Sequence, residues 1–200
     1  MILILFFVWL LNLAISCFNG INVGKAWVES KHAGGGRRFM AWCGAVMTAL
    51  GFTWCIMVVL GLIAGSLHWL DAAHLTLYFD TSYVILIPPL LFTGYAITIN
   101  SWANAYRQRT VGNVGVASYN TFASAYNTYN AVNTFGDAFG KMLDGFFKKS
   151  GKNKDSAQLM IIVLLLVVAI CGGTLIAYWL INKYAAADEP LPAGRHAHQA

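Results

Sequence analysis

One group of titratable side chains stands out in the sequence: His68, Asp71 and His74, with Asp80 nearby. Histidine and aspartate together can ligate zinc or copper. On a helix, however, positions i, i+3 and i+6 spread over more than one face, so three such ligands do not converge. The expectation is an interfacial turn, with His68 and His74 as weak metal candidates and no resident metal or cofactor. His196 and His198 lie in a tail without companions. The four cysteines, Cys17, Cys43, Cys55 and Cys171, sit inside or at the edge of apolar runs and form no CxxC pair. They read as small packing residues. A membrane thiol oxidoreductase would place reactive pairs at the surface, and the polar segment 71–82 contains no cysteine.

Further chemistry is missing. The sequence holds no P-loop, GxSxG, HExxH or dinucleotide-binding fingerprint. Ionisable residues in the middle of apolar spans mark proton relays and ion-coupled transport. The apolar spans here carry mainly Asn12, Thr48, Thr53, Thr93 and Thr98 instead. The chain is therefore expected to be no enzyme and to have no catalytic residues.

The elements that would position any site follow from composition. Charged residues make up 10% and apolar residues 58%, against about 25% charged in an ordinary soluble domain. A soluble fold of this composition would expose large apolar patches. The expected class is all-α: a polytopic membrane protein with four transmembrane helices and an amphipathic cytoplasmic helical insert between the third and fourth. The spans fall at 1–18, 39–70, 83–105 and 157–183. A cytoplasmic loop at 19–38, a short outer loop at 71–82, the insert at 106–156 and a disordered outer tail at 184–200 separate and follow them. The first span lacks the basic start of a secretory signal, so it is expected to be retained. Pro88-Pro89 predicts a kink or half-helix in the third span.

Charge sets the expected orientation. Lys25, Lys31, Arg37 and Arg38 fall in the first loop; Arg107, Arg109, Lys141, Lys148, Lys149, Lys152 and Lys154 fall in 106–156. Outside these stand only Lys183 and Arg195. Basic loops stay in the cytoplasm, so both long loops are expected inside and both termini outside, in a bacterial inner membrane. Trp69 and Trp179 would mark the outer boundary, and Trp42 and Trp102 the inner one. The net charge of +5 flanks apolar runs and lines no face. It therefore fits lipid headgroups, with Arg37, Arg38, Lys148 and Lys149 at the membrane surface, and excludes nucleic acid as a partner.

The stretch 111–136 has no charge, and Tyr119–Ala125 is echoed by Tyr126–Val132. Tyr119, Phe122, Tyr126 and Tyr129 fall on one helical stripe; Asn113, Asn120 and Asn127 fall on another. Phe135, Phe139, Met142 and Phe146 form a further stripe, displaced around the axis, which predicts two helices or a bend near 133–136. Asp137/Lys141 and Asp144/Lys148 are favourable i,i+4 pairs. A face rich in Asn, Thr and Tyr suggests contact with headgroups, another copy of the chain or a partner protein. Gly61 and Gly65 form a GxxxG, as do Gly136 and Gly140, and such spacing lets helices approach closely in lipid. The expected function is a non-enzymatic membrane component. It would self-assemble into a homo-oligomer through Gly61, Gly65 and the aromatic stripes, and dock a cytoplasmic or membrane protein through 111–155. Machineries of secretion, conjugation or phage defence contain such parts. An oligomeric channel or pore is the alternative, and a metal or redox enzyme at the outer surface is the third possibility.

Overall fold

The computed structural model describes residues 2–30, 35–148 and 153–187, all but a few of them helical. Five α-helices follow one another: α1 (Ile2–Ser30), α2 (Gly35–Ser66), α3 (Ala72–Arg107), α4 (Val111–Lys148) and α5 (Asn153–Ala187). Four of them, α1, α2, α3 and α5, are long and apolar enough to cross a membrane. Each exceeds the roughly 20 residues that match a ~30 Å hydrocarbon layer. Lys149 and the histidines of the tail lie outside the described residues.

Local sequence explains the boundaries. Asp71 caps α3: its carboxylate accepts the His74 backbone N–H at 2.9 Å, the usual service of an N-cap aspartate. At the end of α2, Trp69 N donates to Ala64 O (2.9 Å) and His68 N to Gly65 O (3.2 Å). This is a Schellman closure, and His68 occupies its left-handed position at φ 57°. The connection from α3 to α4 is residues 108–110. Asn113 Nδ2 donates to Gln108 O at 2.9 Å, and Asn113 N donates to Thr110 Oγ1 at 3.2 Å. So short a turn forces two helices to lie antiparallel side by side.

The helices alternate in direction throughout. Antiparallel to α2, α1 is held by Trp9 Nε1 on Cys55 O (3.0 Å) and Asn12 Nδ2 on Gly51 O (3.0 Å), with Val23 against Gly44. Tyr78 OH on Met57 O (3.0 Å) joins α3 to α2, and Asn19 Nδ2 on Thr93 Oγ1 (2.9 Å) joins it to α1. On the other side of α2, α5 packs where Gly173 abuts Thr53. The main core gathers Met57, Ala64, Leu70, Leu77, Tyr78, Ile162, Leu165 and Ala169. A second cluster of Trp54, Cys55, Val58 and Leu86 sits under Leu5, Trp9 and Leu13 of α1. Two ends result. The arginine end holds the end of α1, the start of α2 and the α3–α4 connection, with Arg37, Arg38, Arg107 and Arg109. The histidine end holds the α2–α3 connection and the junction of α4 with α5, where Asp71 N donates to Gln158 Oε1 at 3.2 Å.

Several expectations need correction. The expected loop 19–38 is helical to Ser30 and again from Gly35, and the expected outer loop 71–82 lies within α3 except for its cap. Residues 184–187 of the expected tail belong to α5. Through Pro88-Pro89 α3 continues without division, although Val84 and Ile85 lose their helical N–H partners there. Of the two forms expected for 111–148, two helices or one bent near 133–136, the first is overturned: α4 is one continuous helix. An odd number of alternating helices puts the beginning of α1 and the end of α5 at opposite ends of the bundle. The end of α4 and the start of α5 are likewise at the opposite end from Arg37 and Arg38. The expected arrangement, both termini on one side and all basic loops on the other, does not fit this geometry. Trp69 and Trp179 also part, because Trp179 lies beside Lys183 (5.1 Å) near the arginine end.

Glycines separate tight seams from open faces. A Cβ on Gly173 would stand 2.8 Å from Thr53 Cα, whereas one on Gly140 would meet nothing within 4 Å. Gly173→Ala is expected to destabilise the bundle by about 1–3 kcal/mol through overpacking. Gly140→Ala should stabilise it by about 0.5–1 kcal/mol through reduced backbone entropy. Thermal unfolding of the detergent-solubilised protein distinguishes the two directions.

Candidate functional site

The least apolar helix, α4, lies flat against α3 over its length. Near the arginine end, Trp102 Nε1 donates to Thr121 Oγ1 at 2.8 Å and Asn120 Nδ2 donates to Ser101 Oγ at 2.6 Å. One turn further, Thr98 Oγ1 and Ser124 Oγ are 2.8 Å apart, with Gly94 O and Asn120 O within reach of the Thr98 hydroxyl at 3.0 and 3.1 Å. Tyr95 OH and Thr128 Oγ1 follow at 2.7 Å. Close to the histidine end, Gly145 meets the Leu77 side chain. Residue numbers rise along α3 as their partners fall along α4, so the two helices keep one register from Trp102 to Leu77. Ala117 and Ala138 are buried in this contact face and let the backbones approach.

The seam is polar because its residues are Ser, Thr and Asn, whose short side chains reach across closely packed helices. It answers part of the question raised by the uncharged helix. The Asn/Ser/Thr face of α4, Asn120 included, contacts the chain's own α3. The sequence signal was visible, but nothing in it identified the partner as the preceding helix.

The aromatic stripe points the other way. Tyr119, Phe122, Tyr126 and Tyr129 are 70, 72, 59 and 68% exposed. Val116 and Val132 are exposed with them. The remaining predicted aromatics divide. Phe135 and Phe139 stack on each other at 5.7 Å between ring centres. Phe146 packs inward on the core of Met57, Tyr78 and Leu165 and is not free for a partner. Nor are Gly61 and Gly65: Gly61 abuts Tyr78 and Phe79, and Gly65 abuts Leu75, all within the chain. That GxxxG serves α2–α3 packing, which removes it as a self-association seam. Gly136 and Gly140 face open space. Arg37 and Arg38 are exposed in the first turn of α2, and Lys148 ends α4.

The histidine cluster is divided between the cap of α3 and the closing turn of α2. His74 is 2% exposed, and its Nδ1 lies 2.8 Å from Asp71 Oδ1. His68 is turned to the surface with Nδ1 3.2 Å from Ser66 O. Among the described residues no three His, Cys, Asp or Glu side chains converge as a metal site. The His74 backbone N–H and ring beside Asp71 hold its carboxyl down at about 2. A groove of about 950 Å³ opens between α1, α2 and α3 near the arginine end, lined by Asn19, Asn22, Thr93, Asn100, Glu29 and Arg37 among apolar side chains. No protein family, curated protein or solved structure matches this chain.

Two outcomes follow. In a double-mutant cycle of Thr98→Ala and Ser124→Ala, the coupling energy should be about 0.6 kcal/mol and no more than about 1.7, the span measured for hydrogen bonds between membrane helices. Chemical unfolding in mixed micelles reads it. Asp71→Ala should cost about 1 kcal/mol by uncapping α3. Because folding lowers the carboxyl's pKa, its contribution is complete above the unfolded value of 3.8 and fades as the pH falls through about 2. The difference between wild type and Asp71→Ala should therefore shrink as the pH is lowered from about 4 towards 2.

Proposed function

We propose that this chain is a non-enzymatic integral membrane component that assembles with copies of itself and docks a partner protein through α4. It would serve within a multiprotein machinery of the secretion, conjugation or phage-defence type, in a bacterial cytoplasmic membrane. One observation carries the reading. A helix bonded to its neighbour along one side presents Tyr119, Phe122, Tyr126 and Tyr129 on the other, all largely exposed. Large aromatics on a rigid support are what protein interfaces use as anchors. Beside them Asn127, Asn130 and Asn133 are exposed, and their amides have no hydrogen-bond partner among the described side chains. A protein surface can pair those amides; hydrocarbon cannot.

The row of asparagines also favours a second reading, a conducting oligomer in which copies of α4 line a polar path. Asn12 on Gly51 O, Thr93 with Asn19 and Thr98 with Ser124 are engaged within the chain, so the exposed amides of α4 are the ones such a path would draw on. Ion leak through liposomes carrying the purified oligomer separates this from a non-conducting assembly.

Self-assembly is tested by native mass in a mild detergent. The wild type should run as an oligomer. Replacement of Tyr119, Phe122, Tyr126 and Tyr129 by Ala should weaken association at least tenfold, given anchors that each contribute more than about 1 kcal/mol. Helical content should stay unchanged, since none of the four packs on α3. A wild-type chain that is monomeric at all concentrations would sink the reading.

A further inference from the structure

We propose that α4 is a fifth membrane-crossing helix, so that the end of α4 and the arginine end lie on opposite sides of the bilayer. The placement does not depend on where the bilayer sits. From Trp102 paired with Thr121 down to Leu77 against Gly145, α4 accompanies α3 in one antiparallel register. Any hydrocarbon layer that α3 crosses within those limits is crossed by α4 at the same depth.

Composition agrees with this placement. On α3 no charge occurs between Asp80 and Arg107, and on α4 none occurs between Arg109 and Asp137. In the shared register Gly136 lies level with Leu86, so both helices are uncharged from Leu86 to Tyr106. At ~1.5 Å per residue this depth is ~31 Å, close to the ~30 Å of a hydrocarbon core. The apparent obstacle is the polar character of α4. Its Ser, Thr and Asn side chains on the α3 side are already paired, so the desolvation penalty that keeps such residues out of lipid is met there by helix–helix hydrogen bonds. The junction with α5 places the far end of α4 as well. Phe146 and Leu159 pack on one core cluster at the histidine end, where Gln158 accepts from Asp71 N. A helix lying on the cytoplasmic surface would deliver α5 to the arginine end instead.

In one respect the crossing rests on the proposed assembly: at this depth the exposed Asn127, Asn130 and Asn133 amides are paired by another protein surface. The face bearing Tyr119, Phe122, Tyr126 and Tyr129 then meets its partner within the membrane, and a water-soluble protein does not reach it.

The test is single-cysteine labelling in a chain whose Cys17, Cys43, Cys55 and Cys171 are replaced by Ala. Gly36→Cys and Val111→Cys probe the arginine end, and Ser156→Cys probes the start of α5; all three positions are exposed. With a membrane-impermeant maleimide on intact cells, the Ser156→Cys site should label from the opposite side to the other two. A mutation-free measurement checks the same point. Trypsin applied to one face of sealed wild-type vesicles should cut either after Arg37, Arg38, Arg107 or Arg109, or within Lys149–Lys154, but not at both. Labelling of all three positions from one side, or cleavage of both sets from one face, overturns the proposal. Neither result depends on oligomer mass, so failure here is distinct from failure of self-assembly.

Discussion

The organisation of this bundle depends on one constraint: polar groups on apolar-flanked helices must find partners inside the chain. Asn12 donates to Gly51 O, Asn19 to Thr93, Tyr78 to Met57 O and Trp9 to Cys55 O. Each bond joins two helices at one register. The α3–α4 seam extends the same device over many turns, through Trp102, Ser101, Thr98 and Tyr95. Apolar side chains in lipid have little preference for one another over acyl chains, so paired polar groups and close van der Waals contact decide which helices touch.

The two kinds of seam divide the work. On α2, Gly44, Gly51 and Gly61 receive Val23, Ser16 and Tyr78, while Gly173 of α5 closes on Thr53. Close approach there makes α2 the axis of the bundle, and many of its residues are buried. On α4 the contact is narrower, one polar face on one neighbour, and most of the helix surface stays exposed. A peripheral helix so fixed has one face spent on its own chain and one face left to present. This asymmetry, more than the aromatic content itself, singles out Tyr119, Phe122, Tyr126 and Tyr129.

Much of the architecture was legible in the sequence, and the reasons for the rest are physical. Length and apolarity are properties of single segments, so the four long apolar helices could be read directly. The aromatic stripe and the Asn stripe were likewise visible as periodicity. Which stripe turns inward is a pairwise property. Convention puts aromatics inside and amides outside, but α3 offers Thr98, Ser101 and Trp102, which match Ser124, Asn120 and Thr121. The GxxxG of Gly61 and Gly65 illustrates the same limit: the spacing announces close approach without saying whether the partner is Tyr78 of the same chain or another copy. The spacing of His68 and His74 already pointed to a turn rather than a metal site, but it could not say that His74 pairs with Asp71 while His68 closes the end of α2.

Orientation was the least legible feature, because it multiplies a local signal by the number of passes. Counting basic residues by loop assigns Lys148, Lys149, Lys152 and Lys154 to the same side as Arg37 and Arg38 only if 106–156 returns to where it began. The antiparallel register of α4 on α3 means that it does not. Reassigned by bundle end, Arg37, Arg38, Arg107 and Arg109 remain together, while Lys141, Lys148 and Lys154 belong to the ends of α4 and α5 that also carry Asp137, Asp144 and Asp155. The excess of positive charge thus concentrates at the arginine end even though the number of lysines there falls. Because acidic residues contribute little to orientation, the balance at the other end does not cancel its lysines, and the charge rule alone becomes a weak guide for this chain. The direct constraint is geometric: a turn at 108–110 with a seam that runs back to Leu77 commits α4 to the depth of α3, and the sidedness of everything after it follows from that.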